Sequence, residues 1–419
     1  MNLCMLLAGA AALALGQDTI LIRNATIHPI SGPDITNGSV LIQNGKIAGV
    51  GQRLTAPKGT TIIDAKGLHL YPGMIDSATA IGLSEIGAVR ETNDTSELGD
   101  FNPQLRALIA INPETEHIGV TRANGITSVL TLPAGGVISG QGALIHLNGW
   151  TWEEMNIKGD TAVRLNFPVV PATPGESFNR QATPYEEAKR RYEAQVEKLR
   201  LFFEDARRYE KAKAAGGPGF TADPKLEAML PVLSGKRTLM VVAARERTIL
   251  DAIAFARRER LHIVLAGVRE PGKALAEIVK DKISVILPET HSLPLDEDDA
   301  YDSQYTLPAE LHKAGVKFAF GTFDTQFARN LPYQAAAAVA FGLPKEIALK
   351  AVTSNAAEIW GVGNQLGTIE EGKIADLILT DGDPLEARTQ LRQMFIQGKP
   401  VNLENKHTKL YDKYSKRPR

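Results

Sequence analysis

The chain has 419 residues and a single cysteine, Cys4, and this scarcity excludes several kinds of chemistry. One thiol cannot form an internal disulfide, and structural thiolate metal sites use several sulfur ligands. If the segment around Cys4 is removed on export, no thiol is left to act as a nucleophile. The function must then depend on oxygen, nitrogen and apolar groups.

The sequence also lacks an excess of either charge, since 47 Lys and Arg residues stand against 48 Asp and Glu residues. No basic field predicts nucleic-acid binding, and no acidic field predicts a cationic partner. Hydrophobic residues make up 43% of the chain, which at this length suits one large barrel or two ordinary domains. We expect a globular protein whose partner is a small-molecule ligand or another protein.

An apolar run from Leu3 to Leu15 is too short to span a bilayer as a helix. It ends just before Gln17 in small and apolar residues, which is typical of a secretory signal peptide cleaved near Gly16. We therefore expect a signal peptide at residues 1–16, no membrane span, and a periplasmic or secreted protein. Since no Lys or Arg precedes the run, a disordered or packed N-terminus is the alternative.

Both ends of the chain show the alternation that is typical of short antiparallel strands. Near the start, apolar residues recur in an alternating pattern at Ile20, Ile22, Ala25 and Ile27, and Asn44-Gly45 predicts a hairpin turn. A similar pattern of short strands is found from Gly367 onward. We expect residues 17–70 and 363–405 to form one small β-sandwich domain, followed by a C-terminal tail at residues 406–419.

Residues 71–362 alternate apolar strand-like runs with amphipathic helices, a pattern that predicts parallel strands with helical crossovers. Helices are expected from Pro184 to about Ala215 and from Asp223-Pro224 to about Leu233. Eight candidate strands suit an α/β fold of the (β/α)8, TIM-like type. They are Met74–Ala78, Thr127–Thr131, Ala143–Leu147, Val163–Phe167, Leu239–Ala243, His262–Ala266, Ser284–Leu287 and Lys317–Phe320.

The first of these strands follows the sequence Pro-Gly-Met-Ile-Asp-Ser-Ala-Thr-Ala at residues 72–80. This resembles the first barrel strand of the amidohydrolase superfamily, which reads Pro-Gly-hydrophobic-Ile-Asp-x-His-x-His. Further similar motifs are found at residues 123–128, 351–357 and 367–379. In this order they resemble most the imidazolonepropionase-related branch of the superfamily.

The resemblance implies hydrolysis of a non-peptide carbon–nitrogen bond by a metal-activated water. In the family, the metal is held by two histidines on strand one, one histidine each on strands five and six, and an aspartate after strand eight. At these positions the chain has Ala78 and Ala80, Ala243 or Ala244, Ala266, and Phe323. The strand-four segment, residues 162–168, contains no lysine that could be carboxylated. We therefore expect no family-type metal centre and no cofactor.

Two residues remain candidates for catalysis. His291 follows strand seven, at the end of a barrel where functional loops gather, and could act as an acid or base. Asp324 stands one residue after the family's aspartate position, so it either bends back into the pocket or caps its loop. Glu85, Arg90 and Asp94 follow strand one and could line a polar ligand pocket, or form an ordinary charged loop.

Three functions follow from this pattern. The first is a non-catalytic or weakly catalytic member of the superfamily that keeps the fold and a ligand pocket. The second is a metal-free hydrolase that uses His291 with Glu85 or Asp324. The third is a binding or scaffold subunit that pairs with an intact homologue, because such barrels often form homo-oligomers or hetero-oligomers.

Overall fold

The computed structural model describes residues 19–170, 184–217, 219–296 and 298–417. The expected signal peptide at residues 1–16 and the lone Cys4 lie outside the described residues. Among the helices of the described residues, none is both long enough and apolar enough to cross a membrane.

Both ends of the chain contribute to one mixed sheet of eight strands, in the order β16-β15-β14-β5-β1-β2-β3 with β4 paired to β1. The prediction that the two ends fold together is thus confirmed, while the β-sandwich arrangement stays a prediction. The strands are β1 (Ile20–Ile27), β2 (Ile35–Gln43), β3 (Lys46–Gly51), β4 (Thr61–Asp64), β5 (His69–Pro72), β14 (Leu377–Thr380), β15 (Leu391–Ile396) and β16 (Lys399–Pro400).

The predicted hairpin turn lies between β2 and β3, where Gln43 pairs with Lys46. Asn44 and Gly45 have φ values of 53° and 76°, so both central residues adopt the left-handed conformation. A two-residue loop with two positive φ angles matches the right-handed twist of the strands that it connects. The Asn-Gly pair therefore sets the register of this hairpin.

The second sheet is a nearly closed barrel of eight strands in the order β13-β12-β11-β10-β9-β8-β7-β6. All eight candidate strands of the sequence analysis are present. Their bounds are β6 (Met74–Thr79), β7 (Ile126–Thr131), β8 (Ile138–His146), β9 (Asn156–Asn166), β10 (Thr238–Val242), β11 (Ile263–Ala266), β12 (Ser284–Leu287) and β13 (Phe318–Phe320).

One strand corrects the expectation of an all-parallel barrel, because β8 runs antiparallel to both β7 and β9. Only residues 132–137 separate β7 from β8. A parallel connection needs a crossover of about a dozen residues or more, whereas a short connection reverses the chain. The length of this loop thus decides the direction of β8.

The helices lie mainly between the barrel strands, and both helices predicted from the sequence are confirmed. Asp223 caps the second of them by accepting a hydrogen bond from Lys225 N at 2.8 Å. The helices are α1 (Glu116–Arg122), α2 (Trp152–Met155), α3 (Tyr185–Ala215), α4 (Pro224–Leu233), α5 (Glu246–Glu259), α6 (Ala274–Lys280), α7 (Ser303–Lys313), α8 (Leu331–Ala340), α9 (Lys345–Ala351), α10 (Ser354–Ile359) and α11 (Lys406–Ser415), with short 3-10 turns at Arg90–Thr92, Ala107–Ala110 and Ala328–Asn330.

The interior of the barrel is a packed apolar core. One cluster of buried side chains takes members from all eight barrel strands, which places it inside the barrel. A second, larger cluster packs the outer faces of the strands against the helices. The interior cluster includes Ile75, Ala78, Leu130, Leu144, Ala162, Met240, Val264, Ala266, Ile286 and Ala319.

Candidate functional site

The barrel mouth is the end at which the parallel strands β6, β7 and β9–β13 finish, and it contains a fully buried carboxylate. Asp76 Oδ1 accepts from Thr322 N at 3.0 Å and from Ala78 N at 3.1 Å. Its Oδ2 accepts from Thr322 Oγ1 at 2.6 Å. Burial raises the pKa of Asp76 to about 7, although the hydrogen bonds from Thr322 and Ala78 act in the opposite direction.

Phe323 lies beside this contact in an uncommon backbone conformation. Its φ is 53°, which is rare for a bulky side chain, and its N–H donates to Ala78 O at 2.7 Å. Its side chain packs against the interior cluster that contains Ala78 and Ala266. Backbone strain of this kind is concentrated at functional sites, where the surroundings fix it. Here it directs an aromatic ring onto the apolar core.

Of the alanines singled out in the sequence, Ala78 and Ala266 belong to this interior cluster, whereas Ala243 belongs to the outer one. Ala78 and Ala266 are completely buried and Ala243 is 2% exposed, while Ala80 and Ala244 are half-buried. A methyl group has no lone pair, so none of these side chains can coordinate a metal. The mouth is also tight, because a Cβ placed on Gly321 would lie 2.9 Å from Ala78 Cβ.

Arg164 is a functional candidate that the sequence reasoning missed. On β9, Ala162 belongs to the interior cluster while Val163 and Leu165 face the outer one, so Arg164 projects into the barrel with Ala162. Arg164 Nε donates to Asn166 Oδ1 at 3.0 Å and Nη1 to Pro133 O at 3.3 Å. A charged residue at an inward position of an apolar strand was the available signal.

The environment of Arg164 is unusual for a cation. Burial alone lowers the pKa of its guanidinium group, and no carboxylate of the described residues lies within 4.0 Å of it. A buried charge without an opposite charge is costly, so its hydrogen-bond partners compensate only in part. The side chain is thus suited to a negatively charged group that enters from the mouth.

Asp324 follows Phe323 and is half-buried. Its Oδ1 accepts a hydrogen bond from Phe327 N at 2.7 Å, which is the loop-capping arrangement considered in the sequence analysis. Its negative charge adds to the effect of burial in raising the pKa of Asp76. A catalytic role for Asp324 stays a prediction.

The other predicted site residues are spread over the loops. His291 is exposed, with its ring centroid 6.4 Å from that of Tyr305. Glu85 Oε1 accepts from Asn112 Nδ2 at 3.1 Å, while Arg90 and Asp94 are exposed. Within the described part of the chain, no hydrogen bond or ion pair joins these residues to one another or to Asp324. Their roles in catalysis or ligand binding stay predictions.

Three acidic residues, Glu270, Asp296 and Asp299, meet near the mouth, in the segments after β11 and β12. One carboxylate oxygen of each lies within 4.8 Å of the others. Burial, followed by a hydrogen bond to Asp299, raises the pKa of Glu270 to about 7. Arg245 Nη1 lies 2.8 Å from Asp296 Oδ2, so this cation offsets part of the negative charge. The cluster links two loops of the mouth.

A comparison of the chain with models of known protein families shows which family it belongs to. Residues 163–406, more than half of the chain, match the model described as the amidohydrolase family. The chain belongs to the amidohydrolase family. The solved structure of an amidohydrolase from Thermotoga maritima MSB8 is 28% identical, covers 91% of this chain and 99% of its own, and superimposes with a TM-score of 0.78. The barrel and its mouth are thus those of an amidohydrolase fold.

Two curated proteins and further solved structures are also similar to this chain. The amidohydrolase tasK of Hapsidospora irregularis is 25% identical over 94% of this chain and 45% of its own length. The D-hydantoinase of Geobacillus stearothermophilus is 41% identical, but over only 19% of this chain and 16% of its own. The chain therefore spans less than half the length of the curated relatives it matches. The structure of molinate hydrolase shares the fold, with 16% identity and a TM-score of 0.55.

Proposed function

We propose that this amidohydrolase-family protein is non-catalytic or only weakly catalytic and retains its barrel mouth as a ligand-binding site. The observation that carries the proposal is the apolar cluster in which Ala78 and Ala266 pack together with Phe323. These positions correspond, by the resemblance of the motifs, to metal ligands of the family. Alanine and phenylalanine side chains do not fit a metal ion, so no step of a mechanism is assigned to one.

The hydrolytic activity inherited with the fold would act on a non-peptide carbon–nitrogen bond, and the imidazolonepropionase-related branch is the proposed position within the family. Without a metal, the chain would need another group to activate water and to stabilise the developing negative charge. His291 is exposed and has no hydrogen bond to Glu85 or Asp324 in the described structure. This arrangement favours binding over metal-free hydrolysis, which remains the alternative.

Arg164 supports the choice of a ligand with a negatively charged group. Its side chain is partly buried, and its guanidinium group has neutral oxygens as its hydrogen-bond acceptors. A planar guanidinium group binds a carboxylate through two parallel hydrogen bonds, which provides both affinity and orientation. The partly exposed side chains of Phe323 and Ala80 would receive the uncharged part of such a ligand.

Metal analysis of the purified protein tests the first part of this proposal. We expect far less than one equivalent of zinc, manganese or iron per chain after dialysis against metal-free buffer and again after incubation with zinc. Roughly one tightly bound zinc per chain or more, lost on substitution of a mouth residue, would overturn the interpretation that the mouth has no metal site.

A turnover screen of cyclic amides and dipeptides tests the remaining activity. The wild type, His291→Ala and Arg164→Met are compared, with His407→Ala, which removes another exposed histidine, as the matched control. Turnover that disappears only in His291→Ala would establish the metal-free hydrolase. Binding of a carboxylate-containing cyclic amide that is lost in Arg164→Met, without turnover in any variant, supports the ligand-binding function.

A second candidate function is a subunit that works beside an intact homologue. It is supported by the length of tasK, of which this chain matches only 45%, so that a unit of this kind is part of a longer polypeptide there. Co-purification with a homologue that has all the family histidines, followed by native mass spectrometry, tests it. A complex of defined stoichiometry favours the subunit role, and two separate species argue against it.

The cellular location is part of the same proposal. A signal peptide at residues 1–16 would place the mature chain in the periplasm or outside the cell. Mass spectrometry of the exported protein is expected to give an N-terminus near Gln17. An intact Met1 on protein recovered from the cytoplasm would contradict it.

A further inference from the structure

A cleft of about 860 Å³ lies between α1, residues 148–155 and residues 397–409. It shares no lining residue with the barrel mouth described above. Its volume is within the range of sites that bind small molecules. The buried part of its wall is formed by Thr115, Ile118, Met155 and Asn405.

Arg122, at the end of α1, is the partly buried cation of this cleft. Its Nη1 donates to Leu147 O and to Asn148 Oδ1, both at 3.0 Å. Its Nε is buried and has no hydrogen-bond partner in the described structure. Burial lowers the pKa of the guanidinium group, and no carboxylate of the described residues lies within 4.0 Å. A buried donor without a partner is costly, so an anion that reaches it gains free energy.

The exposed rim of the cleft carries charges of both signs. Four glutamates and two lysines surround the opening, and the Glu154 carboxylate accepts from Trp150 N at 2.9 Å. A multiply charged anion would be repelled by the four carboxylates. A ligand with one carboxylate and one ammonium group matches this arrangement better. The rim residues are Glu114, Glu116, Glu154, Glu404, Lys399 and Lys409.

Trp150 forms one edge of the cleft and is 86% exposed. An indole ring normally packs or binds a partner, since its large apolar faces are poorly solvated. The turn that presents it depends on Gly149, because a Cβ there would lie 2.7 Å from Met155 Cγ. The ring thus offers an apolar surface beside a cation and several carboxylates.

We propose that this cleft binds an amino acid or short peptide in its zwitterionic form. The ligand carboxylate bonds to the Arg122 guanidinium group, its ammonium group lies among the rim glutamates, and an apolar side chain rests on Trp150. This site is independent of the function proposed for the barrel mouth.

The test uses the full chain and the dipeptide Leu-Leu, compared with its C-terminal amide, its N-acetyl derivative and inorganic phosphate. Binding is followed by calorimetry and by tryptophan fluorescence. We expect saturable binding of Leu-Leu, at least about tenfold weaker binding of the amide and of the acetylated form, and no competition by phosphate. Equal affinity for Leu-Leu and its amide, displacement by phosphate, or no saturation up to ~10 mM would overturn the proposal.

Variants locate the site. Arg122→Lys keeps the charge but loses the planar fork, so Leu-Leu should bind about tenfold more weakly. Arg237→Lys, another partly buried arginine outside the cleft, is the matched control. Because Arg122 also donates hydrogen bonds to Leu147 O and Asn148 Oδ1, its substitution can change the local structure. A second variant therefore leaves those hydrogen bonds intact. Glu154→Gln should weaken Leu-Leu but not its N-acetyl derivative, and Glu153→Gln should change neither.

Trp150→Phe completes the experiment. It should remove the ligand-induced change in fluorescence while calorimetry still detects binding. A fluorescence change that persists in Trp150→Phe, or full affinity in an Arg122→Lys protein with the wild-type unfolding temperature, places the ligand elsewhere and overturns the inference.

Discussion

Thr322 donates two hydrogen bonds, one from its backbone N–H and one from its hydroxyl group, to the buried carboxylate of Asp76. Asp76 is on the first strand of the barrel, and Thr322 follows the last. The pair therefore spans the point at which the barrel closes. Phe323 N adds a third hydrogen bond across this point, to Ala78 O.

The contribution of Asp76 to the stability of the protein should decrease as the pH rises from about 4 to about 7. The pKa of Asp76 is about 7 in the folded protein and 3.8 in its ordinary state, so the native state binds more protons between these values. The contribution of Asp76 to stability then falls with rising pH and becomes level above pH 7. Asp76→Asn should flatten this decline by on the order of 2–4 kcal/mol in the free energy of unfolding.

Urea denaturation of the wild type and Asp76→Asn at pH 5 and pH 8 measures this difference. Asp381→Asn serves as the control, because its carboxylate is exposed and should leave the slope of the wild type unchanged in this range. Parallel pH profiles for the wild type and Asp76→Asn would show that Asp76 titrates normally.

Thr322→Val should destabilise the closure of the barrel. The substitution keeps the shape but removes the hydroxyl donor, so Asp76 Oδ2 loses its 2.6 Å hydrogen bond. We expect a loss of about 1–3 kcal/mol, larger at pH 8 than at pH 5, because the ionised carboxylate needs the donor more. A loss that is equal at the two pH values would contradict this reason. Thr325→Val, which lies outside the contact, is the control.

Histidines at the two first-strand positions that, by the resemblance, correspond to metal ligands of the family, Ala78→His with Ala80→His, should not create a zinc site. Ala266 and Phe323 would still supply no ligand, and Ala78 is completely buried against Gly321. Overpacking should cost about 1–3 kcal/mol of stability. Zinc analysis and thermal unfolding are the measurements. One equivalent of zinc bound to the double variant would show that the remaining ligands are present after all.

Asp376→Ala should lower the free energy of unfolding by about 3 kcal/mol. Asp376 Oδ2 lies 3.0 Å from His146 Nδ1, and both side chains are almost completely buried. The carboxylate accepts from Gln397 N at 2.8 Å and from Ser128 Oγ at 3.3 Å, so its loss leaves donors without partners on the barrel and beside the terminal sheet. Asp381→Ala, which removes an exposed partner of Arg392, should cost much less stability in the same urea titration.

The positions of the barrel strands were predictable because each is a short apolar run between turn residues. Local patterns also gave the Asn44-Gly45 turn and the capped start of α4 at Asp223. The direction of β8 was not obtained, since alternation does not specify which way a strand runs. It follows from the short connection of residues 132–137.

The candidate site was predictable only in part. The alanines at positions 78 and 266 could be read from the motif, and the structure adds that they are buried in one cluster. The sequence does not single out Arg164, because the strand pattern does not show which face of the strand is packed inside the barrel. Its importance depends on the direction of its side chain and on the absence of a nearby carboxylate among the described residues.

The sequence by itself determined the alternation of strands and helices, the family motif and the residue types at the mouth, because these depend on local periodicity and on identity. Only the tertiary structure decided that Thr322 meets Asp76 across 246 residues, and that Phe323 closes over Ala78. Such contacts arise when the first and last strands of a barrel come together. The burial that raises the pKa of Asp76 exists only after that closure.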